Sequence, residues 1–208
     1  MIIKAKHHWF LYPFFTWFAA RIIRKNFNDV QIINHTTDKN LPILLLSNHS
    51  SWWDGFWVQY VQKKLFNRKF YFMMLEDQLR KHWYFKYTGG FSVNKESRSI
   101  LETINYTAQL LENNNSLVLM FPQGKIQSLH IREFHFEKGI EYIVKKTKKP
   151  FQLLMCVNLI DYFSSPKPTL YVYLKEYETT EYTTDAISAA YNRFYEECIK
   201  YQTNRDSN

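Results

Sequence analysis

The sequence predicts an α/β domain in which a mixed sheet is flanked by helices. Two apolar runs, at residues 43–46 and 117–121, have the length and composition of buried strands, and both end abruptly in polar residues. Segments with apolar residues at helical spacing alternate with these runs and with further strand-like ones. Such alternation is typical of α/β folds. A chain of 208 residues is large enough to bury a full core, and we expect one such domain.

The amino-terminal residues 1–27 are rich in aromatic and basic side chains. Their uncharged run, residues 9–20, contains Pro13 and falls well short of the roughly twenty apolar residues that span a bilayer. We therefore expect a helical segment in the membrane interface, with rings at head-group depth and cations on anionic lipid, ahead of the α/β domain at residues 28–208. The alternative is an aromatic helix packed on the core. The basic residues are Lys4, Lys6, Arg21, Arg24 and Lys25.

Periodicity assigns the other elements in order. Residues 28–40 are polar without a clear period and are interpreted as a connection into the first strand. Helical spacing assigns Leu101 and Ala189 to stripes that face inward. The predicted helices cover residues 54–65, 76–88, 98–112, 137–148 and 185–201. The further predicted strands cover residues 69–74, 91–94, 151–157 and 170–175.

Charge and aromatic content constrain the partners. The net charge is +8 and 18% of the residues are aromatic. We therefore expect a surface that contacts both anionic and apolar groups of a partner. Lipid head groups and nucleic acid both fit this description. The sequence contains no RNP-like, helix-turn-helix or finger pattern, so nucleic acid is not an expected partner. Cys156 and Cys198 fall in apolar patterns and no secretory signal precedes them, which predicts buried thiols in a reducing compartment.

The strand at residues 43–46 leads into a candidate catalytic pair. His49 follows the strand end, and Asp54 completes an H-x-x-x-x-D pattern. On a regular helix the two side chains would point in different directions, so the chain must turn between them and a helix must start near Asp54. The carboxylate can then fix the tautomer of the imidazole, which makes His49 a general base with Asp54 as its partner. The structural alternative is that Asp54 is an N-cap.

The pair lacks an obvious nucleophile. Ser50 and Ser51 lie too close to His49 along the chain for a nucleophile elbow to be assumed. A base without an enzyme nucleophile suits direct transfer, in which a bound hydroxyl loses its proton to His49 as it attacks an activated acyl carbon.

Two further segments carry candidate binding residues. Lys95 and Arg98 lie at the start of a predicted helix, where cations and helix dipole together attract phosphate, although a solvated charged face is the commoner arrangement. The loop after the strand at residues 117–121 is tight, and its backbone N–H groups can face a ligand close to a cation. Its residues are Pro122, Gln123, Gly124 and Lys125.

In this order, the strand-end motifs resemble those of the glycerolipid acyltransferase family typified by 1-acylglycerol-3-phosphate acyltransferases. Asn48 with the H-x-x-x-x-D pattern is similar to the family's N-H-x-x-x-x-D block. Residues 89–95, GGFSVNK, are similar to its glycine-led block, with lysine in place of the usual arginine. Residues 121–124, FPQG, are similar to its F-P-E-G block with glutamine in the glutamate position, and the lysine and isoleucine that follow replace the usual threonine and arginine. The resemblance spans about residues 41–160.

The resemblance implies that an acyl group passes from a thioester, acyl-CoA or acyl carrier protein, to a lipid hydroxyl, with His49 as base and Asp54 as its partner. It also implies an α/β domain on the cytoplasmic surface of the membrane, with backbone N–H groups near residues 121–124 stabilising the oxyanion. No metal or other cofactor is expected, because the thioester is already activated. The residues expected to bind substrate are Asn48, Lys95, Arg98, Pro122, Gln123, Gly124 and Lys125.

The altered second and third blocks bear on the acceptor. In the family the arginines of these blocks are taken to hold the acceptor's phosphate, and bidentate guanidinium binding suits a phosphate. Their replacement predicts that lysophosphatidate is a poor acceptor and that another lipid, such as a glycolipid or an aminolipid, is acylated. Gln123 and Ile126 also leave open a non-catalytic lipid-binding protein on the same fold.

Overall fold

A single sheet lies at the centre of the computed structural model, which describes residues 1–94 and 99–205. The strands are β1 (Asp29–His35), β2 (Ile43–Ser47), β3 (Lys69–Leu75), β4 (Gly90–Val93), β5 (Ser116–Met120), β6 (Gln152–Asp161) and β7 (Thr169–Glu176). The helices are α1 (Leu11–Asn26), α2 (Asp54–Leu65), α3 (Glu76–Lys81), a 3₁₀ helix (Trp83–Tyr87), α4 (Ile100–Leu110), α5 (Gly139–Lys146) and α6 (Thr184–Thr203). Within the described residues, the seven strands follow the order β1-β7-β6-β2-β5-β3-β4.

The sheet is mixed, as predicted. β6 and β7 are antiparallel, whereas β1 with β7, β2 with β6 and β5, and β3 with β5 and β4 are parallel. Because β2, β3, β4, β5 and β6 run in the same direction, their carboxyl ends meet at one edge of the sheet. We call this the upper edge. Segments that are distant in the sequence, including those after β2 and β5, therefore come together there.

Helices cover both faces of the sheet. Side chains along β2 alternate, so that Ile43 and Leu45 pack with α1 and α2, whereas Leu44 and Leu46 pack with α4, α5 and α6. We call these sides the α2 face and the α4 face. All four side chains are buried. A strand that is covered on both faces needs apolar residues at every position, which explains the continuous apolar run.

The segment interpreted as a connection contains β1, and that interpretation is wrong. Asp29–His35 pairs with β7 in parallel at the edge of the sheet. Val30 and Ile32 pack on the α2 face and Ile33 on the α4 face, while the polar residues Asp29, Gln31 and His35 are exposed. An edge strand has a neighbour on one side only, so exposed polar residues dilute its apolar pattern.

The helix predicted at residues 76–88 is broken. α3 ends at Lys81, and a 3₁₀ helix occupies Trp83–Tyr87. His82 separates them with φ −110° and ψ 54°, outside the helical region. The break allows Phe85 to enter an aromatic cluster with Phe56 at a ring distance of 6.0 Å. Tertiary packing therefore overrides the helical propensity of this segment.

Two residues that were predicted to face inward are exposed. Leu101 on α4 has 63% of its surface exposed. On α6, Ala189 is exposed, and Ile187, Tyr191 and Phe194 are buried in its place. The large side chains of α6 determine which face packs against the sheet, because they bury more apolar area than alanine does. The predicted helix at residues 54–65 coincides with α2.

The amino-terminal segment packs along the domain. Ser92 N–H donates to Ile3 O at 2.9 Å, and His8 N–H donates to Tyr87 O at 3.0 Å, so the first residues run beside β4 and the 3₁₀ helix. On α1, Ala19 and Ile23 are buried. None of the helices within residues 1–94 and 99–205 is both long enough and apolar enough to cross a membrane.

Candidate active site

The predicted pair is formed at the upper edge. His49 Nδ1 lies 2.9 Å from Asp54 Oδ2, and the chain turns through Ser50 and Ser51 before α2 begins at Asp54. The Asp54 side chain is fully buried, whereas the His49 side chain retains 21% of its surface exposed. The turn thus brings together two side chains that a regular helix would hold apart. Since Nδ1 is bonded to Asp54, Nε2 is the nitrogen that can take a proton from a ligand.

Three donors converge on one oxygen of Asp54. Ser50 N–H donates to Oδ2 at 2.6 Å and Ser51 N–H donates to it at 2.9 Å, in addition to the imidazole contact. These bonds compensate for the burial of a carboxylate, which would otherwise be destabilising. Asp54 is not the N-cap of α2, because Trp53 occupies that position. The carboxylate instead fixes the turn that presents His49.

The ring of His49 is positioned by the end of β5. Phe121 stacks on the imidazole with ring centroids 4.0 Å apart and an interplanar angle of 12°. Ser50 Oγ lies 3.5 Å from Asp54 Oδ1, so this hydroxyl is directed at the carboxylate. The arrangement therefore supplies a base with an orienting partner, and it supports the prediction that the pair acts without an adjacent serine nucleophile.

Gln123, in the turn that follows β5, holds the backbone of His49. His49 N–H donates to Gln123 Oε1 at 3.2 Å, and Gln123 Nε2 donates to His49 O at 3.1 Å. Gln127 N–H also donates to His49 O, at 2.8 Å. Gln123 is 4% exposed, so its amide is used within the protein. A glutamate could not donate the second bond unless it were protonated.

Asn48 connects the end of β2 to β6. Its Nδ2 donates to Asn158 O at 3.0 Å, and Asn158 N–H donates to its Oδ1 at 2.8 Å. Asn158 in turn donates from Nδ2 to Ser47 Oγ at 2.9 Å. Asn48 is 2% exposed, and its side-chain amide is engaged with the neighbouring strand. This geometry suits positioning of the turn, whereas substrate binding by Asn48 stays a prediction.

Sequence reasoning missed Asn158 and Phe121. Asn158 interrupts the apolar residues 153–157 and 159–160 of β6, and a polar residue in such a run signals a buried hydrogen-bond network. Phe121 ends the predicted strand, but its stacking on His49 depends on the pairing of β2 with β5. Both contacts join segments that are far apart in the chain.

A thiol near the pair is not a competing nucleophile. Cys156 on β6 pairs with Ser47 at the end of β2 and is buried, as is Cys198. Burial raises the pKa of Cys156 to about 12, so the thiolate form that would attack an acyl carbon is not available near neutral pH. The predicted burial of both thiols is confirmed.

A cavity of about 770 Å³ opens beside His49 and extends to both faces of the sheet. Its α2 arm, on the α2 face, is lined by Phe15, Phe56, Phe70, Phe72 and Phe85. Its α4 arm, on the α4 face, is lined by Ile100, Leu101, Ile104, Tyr142 and Ile143. Both its volume and its largely apolar lining are typical of ligand-binding sites.

The other predicted binding residues are distributed unevenly around this cavity. Pro122 and Gly124 line it. Gly124 has a φ of 66°, in the left-handed region that favours glycine, and its N–H donates to Phe121 O at 3.0 Å within the turn. Lys125 is exposed. Lys95 and Arg98 lie outside the described residues.

Comparisons with known proteins identify the family and a similar fold. The family model described as Acyltransferase matches residues 29–157, which is more than half of the chain. The crystal structure of the 1-acyl-sn-glycerophosphate acyltransferase PlsC from Thermotoga maritima is similar in fold, with a TM-score of 0.54 and 18% sequence identity. The match covers 89% of this chain and 78% of that one. A search of curated proteins gave no match.

Proposed function

Because the chain belongs to the acyltransferase family, we propose that it moves a fatty acyl group from a thioester donor to the hydroxyl of a lipid. The observation that carries the proposal is the contact of 2.9 Å between His49 Nδ1 and Asp54 Oδ2 beside an apolar cavity. The pair provides a general base, and the cavity provides space for a hydrocarbon chain.

The proposed reaction is a direct transfer. The acceptor hydroxyl gives its proton to His49 Nε2 as its oxygen attacks the thioester carbonyl carbon. The tetrahedral intermediate collapses, the carbon–sulfur bond breaks, and the thiolate takes the proton from the imidazolium. Asp54 stabilises the imidazolium between these steps. The ester and the free thiol leave, and every atom and proton is accounted for without a covalent enzyme intermediate.

The donor is acyl-CoA or an acyl carrier protein, and the reaction needs no further cofactor. The α2 arm suits the acyl chain of this donor, because aromatic side chains form its lining. Two of the polar side chains that line the cavity already donate hydrogen bonds within the protein. Gln59 Nε2 donates to Thr16 Oγ1 at 3.0 Å, and Thr88 Oγ1 donates to Phe85 O at 3.0 Å. A hydrocarbon chain can therefore lie there without breaking these two bonds.

The protein acts as a peripheral protein on the cytoplasmic face of the cell membrane in this proposal. Trp9 is 82% exposed, Phe10 55% and Trp17 57%, and burial of such rings in the interface is favourable. Arg24 and Lys25 lie in the last turn of α1, where they can meet anionic lipid.

The acceptor is a lipid other than lysophosphatidate. The support is Gln123, which stands where the family has a glutamate and whose amide is bonded to the His49 backbone. It has no charge with which to orient basic residues around a phosphate. A panel of acceptors at a fixed donor concentration tests this point, and the highest kcat/KM with lysophosphatidate would contradict it.

The primary test is thioester turnover by the purified protein. Palmitoyl-CoA is incubated with the enzyme and an extract of membrane lipids, thiol release is followed, and the lipid product is identified by mass spectrometry. His49→Ala should lower kcat by about 10²–10⁴-fold, since no second base lies in hydrogen-bond contact with Asp54 among the described residues. Asp54→Asn should also lose most of the activity.

Circular dichroism and thermal unfolding of both variants provide the control for folding, and Asp77→Asn, at an exposed position on α3, is the matched substitution. His49→Ala with more than roughly a tenth of the wild-type rate contradicts the base role. Wild-type protein that binds lipid without releasing thiol favours the alternative, a lipid-binding protein on the acyltransferase fold.

A further inference from the structure

The helix α6 lies beyond the residues that the family model matches. The match ends at residue 157, whereas α6 begins at Thr184 and packs on the α4 face of the sheet. Tyr191 on this helix is fully buried. Its ring contacts Phe134 and Phe136, with ring centroids 5.6 Å and 5.2 Å away. A hydroxyl in such an apolar place needs a hydrogen-bond partner.

The hydroxyl of Tyr191 lies where β2 leaves β6. Ser47 and Cys156 form the last pair between these two strands. Tyr191 Oη donates to Cys156 O at 2.7 Å, and the backbone N–H of Asn48 donates to the same phenol oxygen. The hydroxyl therefore bridges the two strands one residue before His49.

This bridge occupies the place of a bond that the strand register predicts. Gln152 N–H donates to Pro42 O at 2.8 Å, so every second residue of β6, counted from Gln152, directs its N–H and C=O groups toward β2. Cys156 is one of these residues, and in a regular parallel ladder its C=O would accept from Asn48 N–H. The inserted hydroxyl keeps both backbone groups bonded while β2 separates from β6. The chain can then leave the sheet without an unpaired buried group.

Burial keeps the hydroxyl of Tyr191 protonated. It raises the pKa of this phenol well above its ordinary value, and the bond from the Asn48 backbone offsets only part of the rise. The phenol is therefore a donor to Cys156 O at neutral pH, and the bridge is a permanent feature of the fold.

The next residue of α6 fixes the helix on the other side of His49. Phe134 N–H donates to Asn192 Oδ1 at 2.8 Å, and Asn192 Nδ2 donates to Phe134 O at 2.9 Å. Phe134 belongs to the connection between β5 and α5, as does Gln127, whose N–H donates to His49 O at 2.8 Å. The position of α6 relative to the upper edge is thus set by bonds to two segments that contact His49.

We propose that Tyr191 is a positioning residue for His49. Its hydroxyl fixes the direction in which the chain leaves β2, and this direction decides where the imidazole lies relative to Asp54 and to the acceptor hydroxyl. The effect on catalysis rests on the proposed function, and the proposal adds a residue outside the matched region. The alternative is that the hydroxyl only satisfies a buried carbonyl group, in which case its loss lowers stability without a specific effect on His49.

The kinetic test is Tyr191→Phe, which removes the hydroxyl and retains the ring. With palmitoyl-CoA and the extract of membrane lipids as substrates, we expect kcat to fall by about tenfold and KM for palmitoyl-CoA to stay the same, because His49 is displaced while the cavity is unaltered. Tyr173→Phe is the matched control, since Tyr173 is also buried and its hydroxyl donates to Gln202 Oε1 at 2.6 Å. It should lose similar stability in thermal unfolding and keep the wild-type kcat. Tyr191→4-aminophenylalanine, which retains a donor at the same place, should restore most of the kcat.

Exchange of the His49 ring proton tests the positioning without turnover. Nδ1–H faces Asp54 Oδ2 and gives a separate NMR resonance in protein with 15N-labelled histidine, which its loss in His49→Ala assigns. We expect this proton to exchange with water about tenfold faster in Tyr191→Phe than in the wild type or Tyr173→Phe. Faster exchange supports the proposal even if no thioester is turned over, a result that would count against the proposed function alone. Equal exchange in the three proteins, or an equal loss of kcat in Tyr191→Phe and Tyr173→Phe, would overturn it.

Discussion

His49, the proposed general base, is held by contacts to three parts of the residue. Asp54 bonds the imidazole nitrogen Nδ1, Phe121 stacks on the ring face, and Gln123 bonds the backbone N–H and C=O of His49. Each contact restricts a different motion of the side chain or of its backbone. A base that is held in this way loses little entropy when the substrate binds, which favours transfer.

The bonds of Gln123 predict a pH effect for Gln123→Glu. The carboxylate could still accept from His49 N–H, but its second oxygen would face His49 O, which Gln123 Nε2 now approaches to 3.1 Å. Two acceptors repel each other unless the glutamate is protonated and donates. We therefore expect the kcat/KM of Gln123→Glu, relative to the wild type, to fall as the pH rises.

The measurement is the ratio of kcat/KM for the two proteins between pH 5 and pH 9, with Gln123→Leu as the control that lacks both bonds at every pH. Gln123→Leu should be slow at all pH values, with a constant ratio to the wild type. A constant ratio for Gln123→Glu as well would show that the amide donor is not needed.

At the scale of elements, the first residues are tied to the sheet by a half-buried histidine. His7 Nε2 lies 2.9 Å from Phe70 O, and its ring packs edge-on against Tyr12 and Tyr71 at 4.7 Å and 4.8 Å. Burial lowers the pKa of His7 to about 4. The neutral imidazole is therefore the form that fits, and it donates its proton to Phe70 O.

This site predicts that stability falls with acid. In the unfolded chain His7 takes up a proton below about pH 6.5, whereas in the folded protein it does so only near pH 4, so its contribution is complete above pH 6.5 and is lost between these values. We expect a loss of about 2 kcal/mol, allowing for solvent screening of a partly exposed ring.

Urea unfolding at pH 7.0 and pH 4.5 measures this loss. His7→Gln keeps a donor for Phe70 O but cannot titrate, so its unfolding free energy should vary less between the two pH values. His8→Gln is the adjacent control and should behave like the wild type. An equal pH dependence of the wild type and His7→Gln would contradict the assignment to His7.

At the scale of the whole molecule, the exposed aromatic residues come from several segments. Besides Trp9 and Trp17, Trp52 is 44% exposed, Trp53 is 39% exposed and Trp83 is 59% exposed. Trp52 also lines the cavity. Aromatic side chains near the cavity opening suit a surface through which lipid substrates enter.

The prediction at this scale is that Trp9→Ser combined with Phe10→Ser and Trp17→Ser weakens binding to anionic vesicles by about tenfold or more. Each ring loses favourable burial in the interface, and added salt should weaken the remaining electrostatic attraction. Sedimentation with vesicles of phosphatidylglycerol and phosphatidylcholine measures the effect. Deletion of residues 1–27 is less suitable, because it would remove Ala19 and Ile23 from the core.

The double variant Tyr162→Ser with Tyr201→Ser is the matched control. These tyrosines are 57% and 58% exposed and lie outside residues 1–27, so their loss should leave vesicle binding unchanged. Equal binding by the triple variant and the wild type would refute the interfacial role of α1.

Much of the fold and the centre of the site follow from the sequence by itself. The continuous apolar runs at residues 43–46 and 117–121 identified the two central strands, because strands covered on both faces need apolar residues at each position. The ordered motifs indicated an acyltransferase, and the family match confirms it. His49 and Asp54 could be paired because a turn and a helix start are local features that the spacing constrains.

Only the tertiary structure decided the contacts between distant segments. β1 was missed because an edge strand is half exposed and its pattern is weak. The bonds of Gln123 to His49 and of Asn48 to Asn158 join residues that are 74 and 110 positions apart. The two arms of the cavity likewise depend on helices that pack on opposite faces of the sheet. The hydrophobic pattern predicts which residues are buried. The hydrogen-bond partner of each buried polar residue depends on strand order and register, which no local pattern contains.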